Sequence, residues 1–484
     1  MATNTAHASS THVQLSPSTT PGYTHADGLT AESAKKASDL LTINHAAYHT
    51  RWKGTFHNHI THHLVSLWAL GASPDEIQDL WDFNTPYQTP LERDDAATAA
   101  SGYLDLKDPA VFDQCLGKDE CYADFLKFFE EEVEEKGMQD VVREYVLRGD
   151  ARADDIFCRM YTDLVHPMIH LGCGLEFHQP SLVAEALAAA CVHDNYPATF
   201  LLPTEAYVRA NPGTADASPP LLQTLQALHN DPAIAGAVQP SDPFNKIPDG
   251  LLTRITPAQL VPYLSQFRVA ARPADLARKL ADMLHTGAYV AGAAQRPGKR
   301  EAVDFVLLHC VTLGVFYPAI LALDWLSDGE KARLLEAKGR VDAVMYAGCG
   351  CPPLYAERVR GYVPRFAGQG WEELFRRAVV YRDEGHVAKL VRALFCAERL
   401  GDTAEGFPVE RGEFVRIAHM AVDSAERALE PGGHTMPEEV VRKVAGGVGG
   451  GGEMVTDNMK RWVFYGGVEG AWKYVPDLEG VAVE

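Results

Sequence analysis

The sequence lacks the short motifs that identify the commonest nucleotide, serine-hydrolase and zinc-protease sites. Its 484 residues contain no Walker A loop, no GxSxG elbow and no HExxH pair. The glycine tract 447–452 formally matches GxGxxG, but no strand pattern precedes it, so we interpret it as a linker. A Rossmann-type flavin or nicotinamide enzyme is therefore not expected.

Basic residues and long apolar runs are also scarce. Lysine and arginine number 44 against 65 acidic residues, giving a net charge of −21, which argues against nucleic acid or an anionic membrane as the main partner. Only residues 305–323 approach the length of a membrane span, and this run contains His309 and Pro318. We therefore predict a buried core helix there and no membrane span.

A disulfide framework and a secretory signal are not expected either. The nine cysteines are odd in number, lie in apolar contexts and form no CxxC motif, so we expect reduced and mostly buried thiols. The first residues have neither the basic region nor the apolar region of a signal peptide. These observations predict a cytoplasmic chain.

Few runs alternate with period two, and apolar residues instead recur at helical spacing. We predict a mainly α fold with one large helical domain over residues 36–484, preceded by a disordered tail over 1–35. Loop insertions are expected near 203–250, around a short helix, and near 430–453. A long helix is predicted over 122–147, where Gly137 is a possible break.

Nineteen histidines are the most informative feature of the sequence. Three pairs are spaced so that both side chains lie on one helix face, close enough to share a metal ion: His59 and His63, His166 and His170, and His386 and Lys389. His309 lies alone in an apolar helix. The spacing indicates a helix-borne metal site, with buried structural histidines as the alternative. It does not choose among iron, zinc, copper and nickel.

The remaining histidines in apolar segments carry weaker signals. Helical phase turns His57 and His62 away from His59 and His63, so we expect these two to be polar residues of a helix start. His193 ends a helix and is predicted to interact with the helix dipole.

Four segments resemble the questin oxidase family of fungal polyketide biosynthesis. They occur in order as "FHNHITHHLVSLWALGASPDEIQDLW", "HPMIHLGCGLEFHQPSLVAEALAAACVHD", "DFVLLHCVT" and "DEGHVAKLVRAL". The resemblance implies an oxidoreductase that uses O2 to open the ring of an anthraquinone-type substrate. It would be either a non-haem iron dioxygenase or an NADPH-dependent Baeyer–Villiger monooxygenase without firmly bound metal. An all-α binding or scaffold protein with structural histidines is the alternative from another class.

The iron-dependent member of this family implies an Fe(II) ion held by four histidines and a carboxylated lysine. On this chain the implied ligands are His63, His170, His309, His386 and Lys389. The second histidine of each pair is preferred because it lies deeper in its apolar helix. A buried lysine beside a divalent cation is costly when protonated, which favours its conversion to an anionic carbamate.

Three further residues are expected to act near this ion. His59 and His166 would support the ligands or line the substrate pocket, and Thr312, one turn after His309, would hydrogen-bond oxygen or water. NADPH, where consumed, would act through a partner reductase that reduces the quinone, because the chain has no convincing dinucleotide site.

Overall fold

The computed structural model describes residues 7–52, 56–91, 103–213, 218–433, 435–436 and 459–478. Helices dominate these residues, and the two strands, β1 (Arg51–Trp52) and β2 (Phe56–His57), form one antiparallel pair with Arg51 opposite His57. The predicted mainly α fold is confirmed. No helix among the described residues is long and apolar enough to cross a membrane.

The chain divides into two compact units. Unit 1 comprises Met1–Thr199 and Pro318–Trp325, and unit 2 comprises Phe200–Tyr317 and Leu326–Glu484. The first nine helices are α1 (Ala31–Ala47), α2 (Ile60–Ala69), α3 (Pro74–Asn84), α4 (Pro109–Cys115), α5 (Tyr122–Lys136), α6 (Met138–Val142), α7 (Ala151–Arg159), α8 (His166–Glu176) and α9 (Pro180–Val192). Within unit 1, α9 packs on α8 and α5, and α2 packs on α1 and α8.

Thirteen further helices follow among the described residues. They are α10 (Ala198–Ala210), α11 (Leu221–Asn230), α12 (Pro232–Ala235), α13 (Leu252–Arg254), α14 (Pro257–Leu264), α15 (Pro273–Ala293), α16 (Leu308–Gly314), α17 (Tyr317–Ala322), α18 (Asp328–Gly348), α19 (Ala356–Arg360), α20 (Trp371–Val379), α21 (His386–Arg399) and α22 (Phe414–Arg427). In unit 2, α16 packs on α15 and α21, and α21 packs on α22.

The segment predicted as one helix over 122–147 is divided where a break was expected. Gly137 ends α5 with a φ of 82°, a conformation that glycine adopts without steric cost. Helix α6 follows it and continues into a short π-helix, Arg143–Leu147.

Three other segments differ from their predictions. Residues 7–35 are not a free tail where the structure describes them: Val13 and Leu15 are buried, and their backbone N–H groups donate to Thr42 and Ser38 of α1. These two apolar residues were too few to reveal a packed segment inside a polar composition. The apolar run 305–323 forms two short helices, α16 and α17, instead of one.

The predicted loop insertion near 203–250 is largely helical. Helix α10 continues through Pro203 because its buried face, including Phe200 and Leu201, outweighs the one hydrogen bond that proline removes. The short helix expected between the two breaks is α11. The insertion predicted over 430–453 lies largely outside the described residues.

A close approach between α8 and α9 is set by Gly174. A Cβ atom at this position would meet the Cγ2 of Val183 at 2.7 Å and its backbone nitrogen at 2.8 Å. The backbone nitrogen cannot move aside as a flexible side chain would. Only glycine therefore allows the two helices, which carry His166, His170 and Glu185, to lie at this separation.

We expect Gly174→Ala to destabilise the protein by about 1–3 kcal/mol, since the added methyl group must push the two helices apart. Denaturant unfolding measures this change in the free energy of unfolding. Gly412→Ala is the control, because a Cβ atom there meets nothing within 4 Å. Equal stability of the two variants would contradict the packing argument.

Candidate metal centre

Six buried histidines of unit 1 lie close together: His57, His59, His62, His166, His170 and His193. They come from β2, from the start of α2, from α8 and from the residue after α9. These segments are separate in sequence, so the cluster is a product of the tertiary structure.

The position of His57 depends on where α2 begins. His59 is the N-cap residue, and Asn58 Oδ1 accepts a hydrogen bond of 3.0 Å from the backbone nitrogen of Ile60. His57 therefore belongs to β2 and not to the helix. The prediction that His57 and His62 turn away is wrong, because the phase argument extended the helix too far; the His62 ring lies 5.7 Å from that of His59.

Helix α8 begins after three consecutive residues with a left-handed backbone. Asp163, Leu164 and Val165 have φ values of 48°, 55° and 62°, which are unfavourable for leucine and valine. This turn brings the Asp163 carbonyl oxygen to 2.6 Å from His166 Nδ1. Since a carbonyl only accepts, Nδ1 carries the proton and Nε2 of His166 carries a lone pair.

That lone pair points at a second imidazole. His59 Nε2 lies 2.8 Å from His166 Nε2, and His57 stacks on the His166 ring with centroids 3.8 Å apart and an interplanar angle of 2°. Nitrogen atoms of these three side chains lie within 4.8 Å of one another. Three imidazoles that converge in a buried site form a donor set that fits a transition-metal ion.

The geometry favours the first histidine of each predicted pair over the second. His170 is engaged at both ring nitrogens: Nε2 lies 2.6 Å from Glu185 Oε2, and Nδ1 lies 3.2 Å from His62 Nε2. His63 is buried on α2, but the nitrogens that converge in unit 1 include His59 instead. The assignment of His63 and His170 as ligands stays a prediction, and depth in an apolar helix does not report which ring nitrogens are engaged.

Burial determines the protonation state of His57 and His193 in this cluster. It lowers the pKa of His57 well below the usual range, an effect that the neighbouring His166 and His193 reinforce. Burial, together with the charge of Arg51, lowers the pKa of His193 to about 3. At neutral pH both imidazoles are therefore uncharged, which is the form that binds metal ions.

A buried hydrogen-bonded chain supports the cluster from the side of α9. His45 on α1 lies 2.6 Å from Glu185 Oε1 through Nδ1 and 2.8 Å from Glu130 Oε1 through Nε2. The other Glu185 oxygen contacts His170, which contacts His62 in turn. One carboxylate therefore connects α1, α8 and α9.

In unit 2, His309 and His386 lie at the starts of two packed helices. Asp304 Oδ1 accepts hydrogen bonds from the backbone nitrogens of Val306 and Leu307 and so fixes the entry to α16. Asp383 does the same for α21 through the nitrogen of Val387.

The two imidazoles of unit 2 are buried in an aromatic environment. Their ring centroids are 5.3 Å apart, and Phe305 lies 4.8 Å from the His386 ring. His309 Nδ1 donates to the Phe305 carbonyl oxygen at 2.7 Å, which leaves Nε2 as the nitrogen with a lone pair. Burial, with the charge of Lys389, lowers the pKa of His309 to about 3.

Lys389 and Thr312 are buried as well. Burial raises the pKa of Glu384 to about 7 although the charge of Lys389 opposes this shift, so the two groups interact. Thr312 Oγ1 meets no hydrogen-bond partner among the residues that the structure describes. The carboxylation of Lys389 and the predicted role of Thr312 stay predictions.

Sequence reasoning did not identify Asp163, His193 and Glu185 as parts of the cluster. No spacing relates Asp163 or His193 to the other histidines, because their proximity arises from the turn before α8 and the end of α9. Glu185 did leave a signal, since it is the one charged residue in the apolar segment 180–192. A lone carboxylate in such a helix indicates a buried partner.

Comparisons with known proteins agree with the motifs. A model described as questin oxidase-like matches residues 56–394. The chain is 45% identical over 473 residues to the oxidoreductase AflY of Aspergillus parasiticus, covering 97% of this chain and 94% of that protein. It is 37% identical over 402 residues to the Baeyer–Villiger oxidase ptaJ of Pestalotiopsis fici, with coverage of 81% and 88%. It is 36% identical over 405 residues to a questin oxidase of Aspergillus fumigatus, with coverage of 81% and 89%.

The buried carboxylate chain predicts a pH-dependent stability. Burial opposes the charged form of His45, but its hydrogen bonds to Glu130 and Glu185 outweigh this and raise its pKa to about 9. Because the pKa of His45 is higher in the folded protein than in the unfolded chain, its ionisation stabilises the folded protein fully at pH values below the unfolded pKa. This stabilisation is lost as the pH rises toward about 9. The free energy of unfolding then falls by an amount on the order of 3 kcal/mol.

Glu185 has the opposite effect on stability, which falls as the pH is lowered. Burial disfavours its charged form, but hydrogen bonds to His170 and His45 outweigh this and lower its pKa to about 2. Its contribution is therefore lost as pH falls below the unfolded value toward about 2. Denaturant unfolding at a series of pH values should show that the free energy of unfolding of the wild type declines on the alkaline side. The decline should be smaller in Glu185→Gln. Asp39→Asn, in an exposed pair with Lys35, is the control and should follow the wild type.

Proposed function

Because this chain belongs to the questin oxidase-like family and is an oxidoreductase, we propose that it oxidatively opens the ring of an anthraquinone-type aromatic polyketide with O2. The observation that carries this proposal is a cluster of buried imidazoles in a chain with oxidase relatives along most of its length. A cluster of buried, converging imidazoles suits redox-metal chemistry better than the scaffold alternative, in which each histidine needs only one hydrogen-bond partner.

The proposed cofactor is Fe(II). In unit 1 its proposed ligands are His59 and His166, which replace the His63 and His170 of the sequence analysis. In unit 2 the ligands implied by the resemblance are His309, His386 and Lys389. When bound, ferrous iron would supply the electrons that make dioxygen reactive toward an aromatic ring.

The chain's own groups have separate roles in this proposal. The Asp163 carbonyl oxygen holds the Nδ1 proton of His166, and the Phe305 carbonyl oxygen holds that of His309. These bonds keep the Nε2 lone pairs available and fix the ring orientations. The packed Phe305 and Phe464 rings, 4.8 Å apart, exclude water around His309.

Lys389 is proposed to react with carbon dioxide. The neutral Nζ would attack the carbon atom, form an N–C bond and release one proton, leaving an anionic carbamate. Burial of Lys389 at 3% exposure supports this proposal, because a protonated ammonium is costly in such a site. The carbamate would offset part of the charge of a divalent cation.

A Baeyer–Villiger monooxygenase is the second candidate, favoured by the name of the relative ptaJ. It would insert one oxygen atom beside a ring carbonyl and form a lactone, with NADPH as the reductant, drawn on directly or through a partner reductase. This reading needs no firmly bound metal, so metal dependence separates the two candidates.

We expect the metal-stripped protein to lose O2 consumption with an anthraquinone or its hydroquinone and to regain it with Fe(II) but not with Zn(II). His59→Gln and His166→Gln should each lower the rate at least about 100-fold, whereas His170→Gln should mainly lower stability. Oxygen-electrode rates and product masses measure these effects. His178→Asn is the control, since His178 is exposed and Asn tolerates its φ of 53°. Full activity without metal would reject the iron proposal and favour the second candidate.

Carboxylation of Lys389 predicts a carbamate carbonyl signal in the 13C NMR spectrum of the protein after incubation with 13C-bicarbonate. Lys389→Gln should lack this signal. Lys35→Gln, which changes an exposed lysine, should keep it. An unchanged spectrum in the Lys389 variant would assign the signal elsewhere and reject the modification.

A further inference from the structure

A second constellation of metal-binding atoms lies beside the first in unit 1. His57 Nε2 and His193 Nε2 are 2.9 Å apart, and Asp163 Oδ2 lies 3.4 Å from the former and 3.7 Å from the latter. These three side chains are outside the ligand set that the family resemblance implies. The side chains of Asp163 and His193 also have no role in the proposed function, where Asp163 acts only through its backbone carbonyl oxygen.

The three side chains are held by backbone features of different segments. His57 is fixed by the pairing of β1 with β2, where its own carbonyl accepts a hydrogen bond from Trp52 Nε1 at 3.1 Å. Asp163 is the first of the three left-handed residues before α8. Strain of this kind persists where the surrounding structure over-determines it, and here it aims a carboxylate at two imidazoles.

The tautomer of His193 is that of a metal ligand. Its Nδ1 donates to the carbonyl oxygen of Ala189 one turn earlier in α9, so the proton lies on Nδ1. Nε2 therefore carries the lone pair, and it is this atom that faces His57 and Asp163. Histidine ligands in proteins characteristically commit their other ring nitrogen to a carbonyl or carboxylate in this way.

Two of the three separations, 2.9 and 3.4 Å, lie within the range expected of one coordination sphere, and the third, 3.7 Å, lies just above it. Ligands bound at about 2.0–2.2 Å from one ion are roughly 2.9–3.6 Å from each other, depending on whether the site is octahedral or tetrahedral. A hydrogen-bonded triad would instead bring the carboxylate oxygen to within about 3.2 Å of an imidazole nitrogen. We propose that His57, His193 and Asp163 form a second metal site, which binds a divalent first-row transition-metal ion.

The charges around the three ligands are compatible with a cation. Arg51 and Arg159 are nearby positive groups, and each is paired with a carboxylate: Arg51 with Asp119 Oδ1 at 3.3 Å and Arg159 with Asp155 Oδ2 at 2.6 Å. Asp194 adds a carboxylate near Asp163 and is held by a hydrogen bond from Thr162. One carboxylate and two imidazoles form the mixed nitrogen and oxygen set that Zn(II), Fe(II) and Co(II) accept.

Zinc titration of the metal-stripped full-length protein tests this site without measuring activity. Calorimetry should resolve a class of sites whose affinity falls at least about tenfold in Asp163→Asn and in His193→Gln. His59→Gln/His166→Gln should keep this class, because those two residues are not among its ligands. His57 is left unchanged, since it lies in both clusters. His178→Asn controls for adventitious binding by exposed histidines.

Crystals of the wild-type protein soaked in zinc give a second readout that no folding defect of a variant can affect. Anomalous scattering at the zinc edge should show a peak within about 2.3 Å of His193 Nε2 and Asp163 Oδ2. Absence of that peak, or unchanged zinc affinity in folded Asp163→Asn and His193→Gln, would overturn the proposal. Loss of all zinc binding in the double variant His59→Gln/His166→Gln would also overturn the proposal. A comparable loss of zinc binding in His178→Asn would do the same. None of these results depends on whether the chain opens an anthraquinone ring.

Discussion

Glu185 is a carboxylate buried on α9, and each of its two oxygen atoms contacts an imidazole from another helix. His45 of α1 and His170 of α8 both lie 2.6 Å from it. A buried carboxylate without such partners would cost several kcal/mol, so the three helices can pack only in the arrangement that supplies them. The close approach of α8 and α9 at Gly174 brings Glu185 within reach of His170. The position of the histidine cluster depends on this constraint.

The partners of the ring nitrogens divide five of the buried histidines into two kinds. His166, His193 and His309 each place Nδ1 against a carbonyl oxygen, and each therefore presents an Nε2 lone pair. His45 and His170 instead face carboxylates, and their ring nitrogens are occupied by structural bonds. The first kind can hold a metal ion, and the second kind holds helices together. The distinction follows from the partner of each nitrogen and is independent of how deeply the residue is buried.

Much of the fold could be predicted because helical periodicity is a local property. The mainly α class, the break at Gly137 and the helix over 221–230 all follow from residues a few positions apart. The packing of Val13 and Leu15 against α1 could not be predicted, because it depends on contacts with residues distant in sequence. Pro203 was taken as a break for the same reason, since the buried face that carries α10 through it is a tertiary feature.

The sequence by itself determined the family, the helical class and the segments that carry the histidines. It could not determine which nitrogen of each histidine is available, since helical phase relates residues only within one helix. His57 was assigned to a helix that begins three residues later, and Asp163 and His193 had no spacing that connects them. Only the tertiary structure brings these side chains together, because the left-handed turn before α8, the strand pair and the end of α9 meet in space.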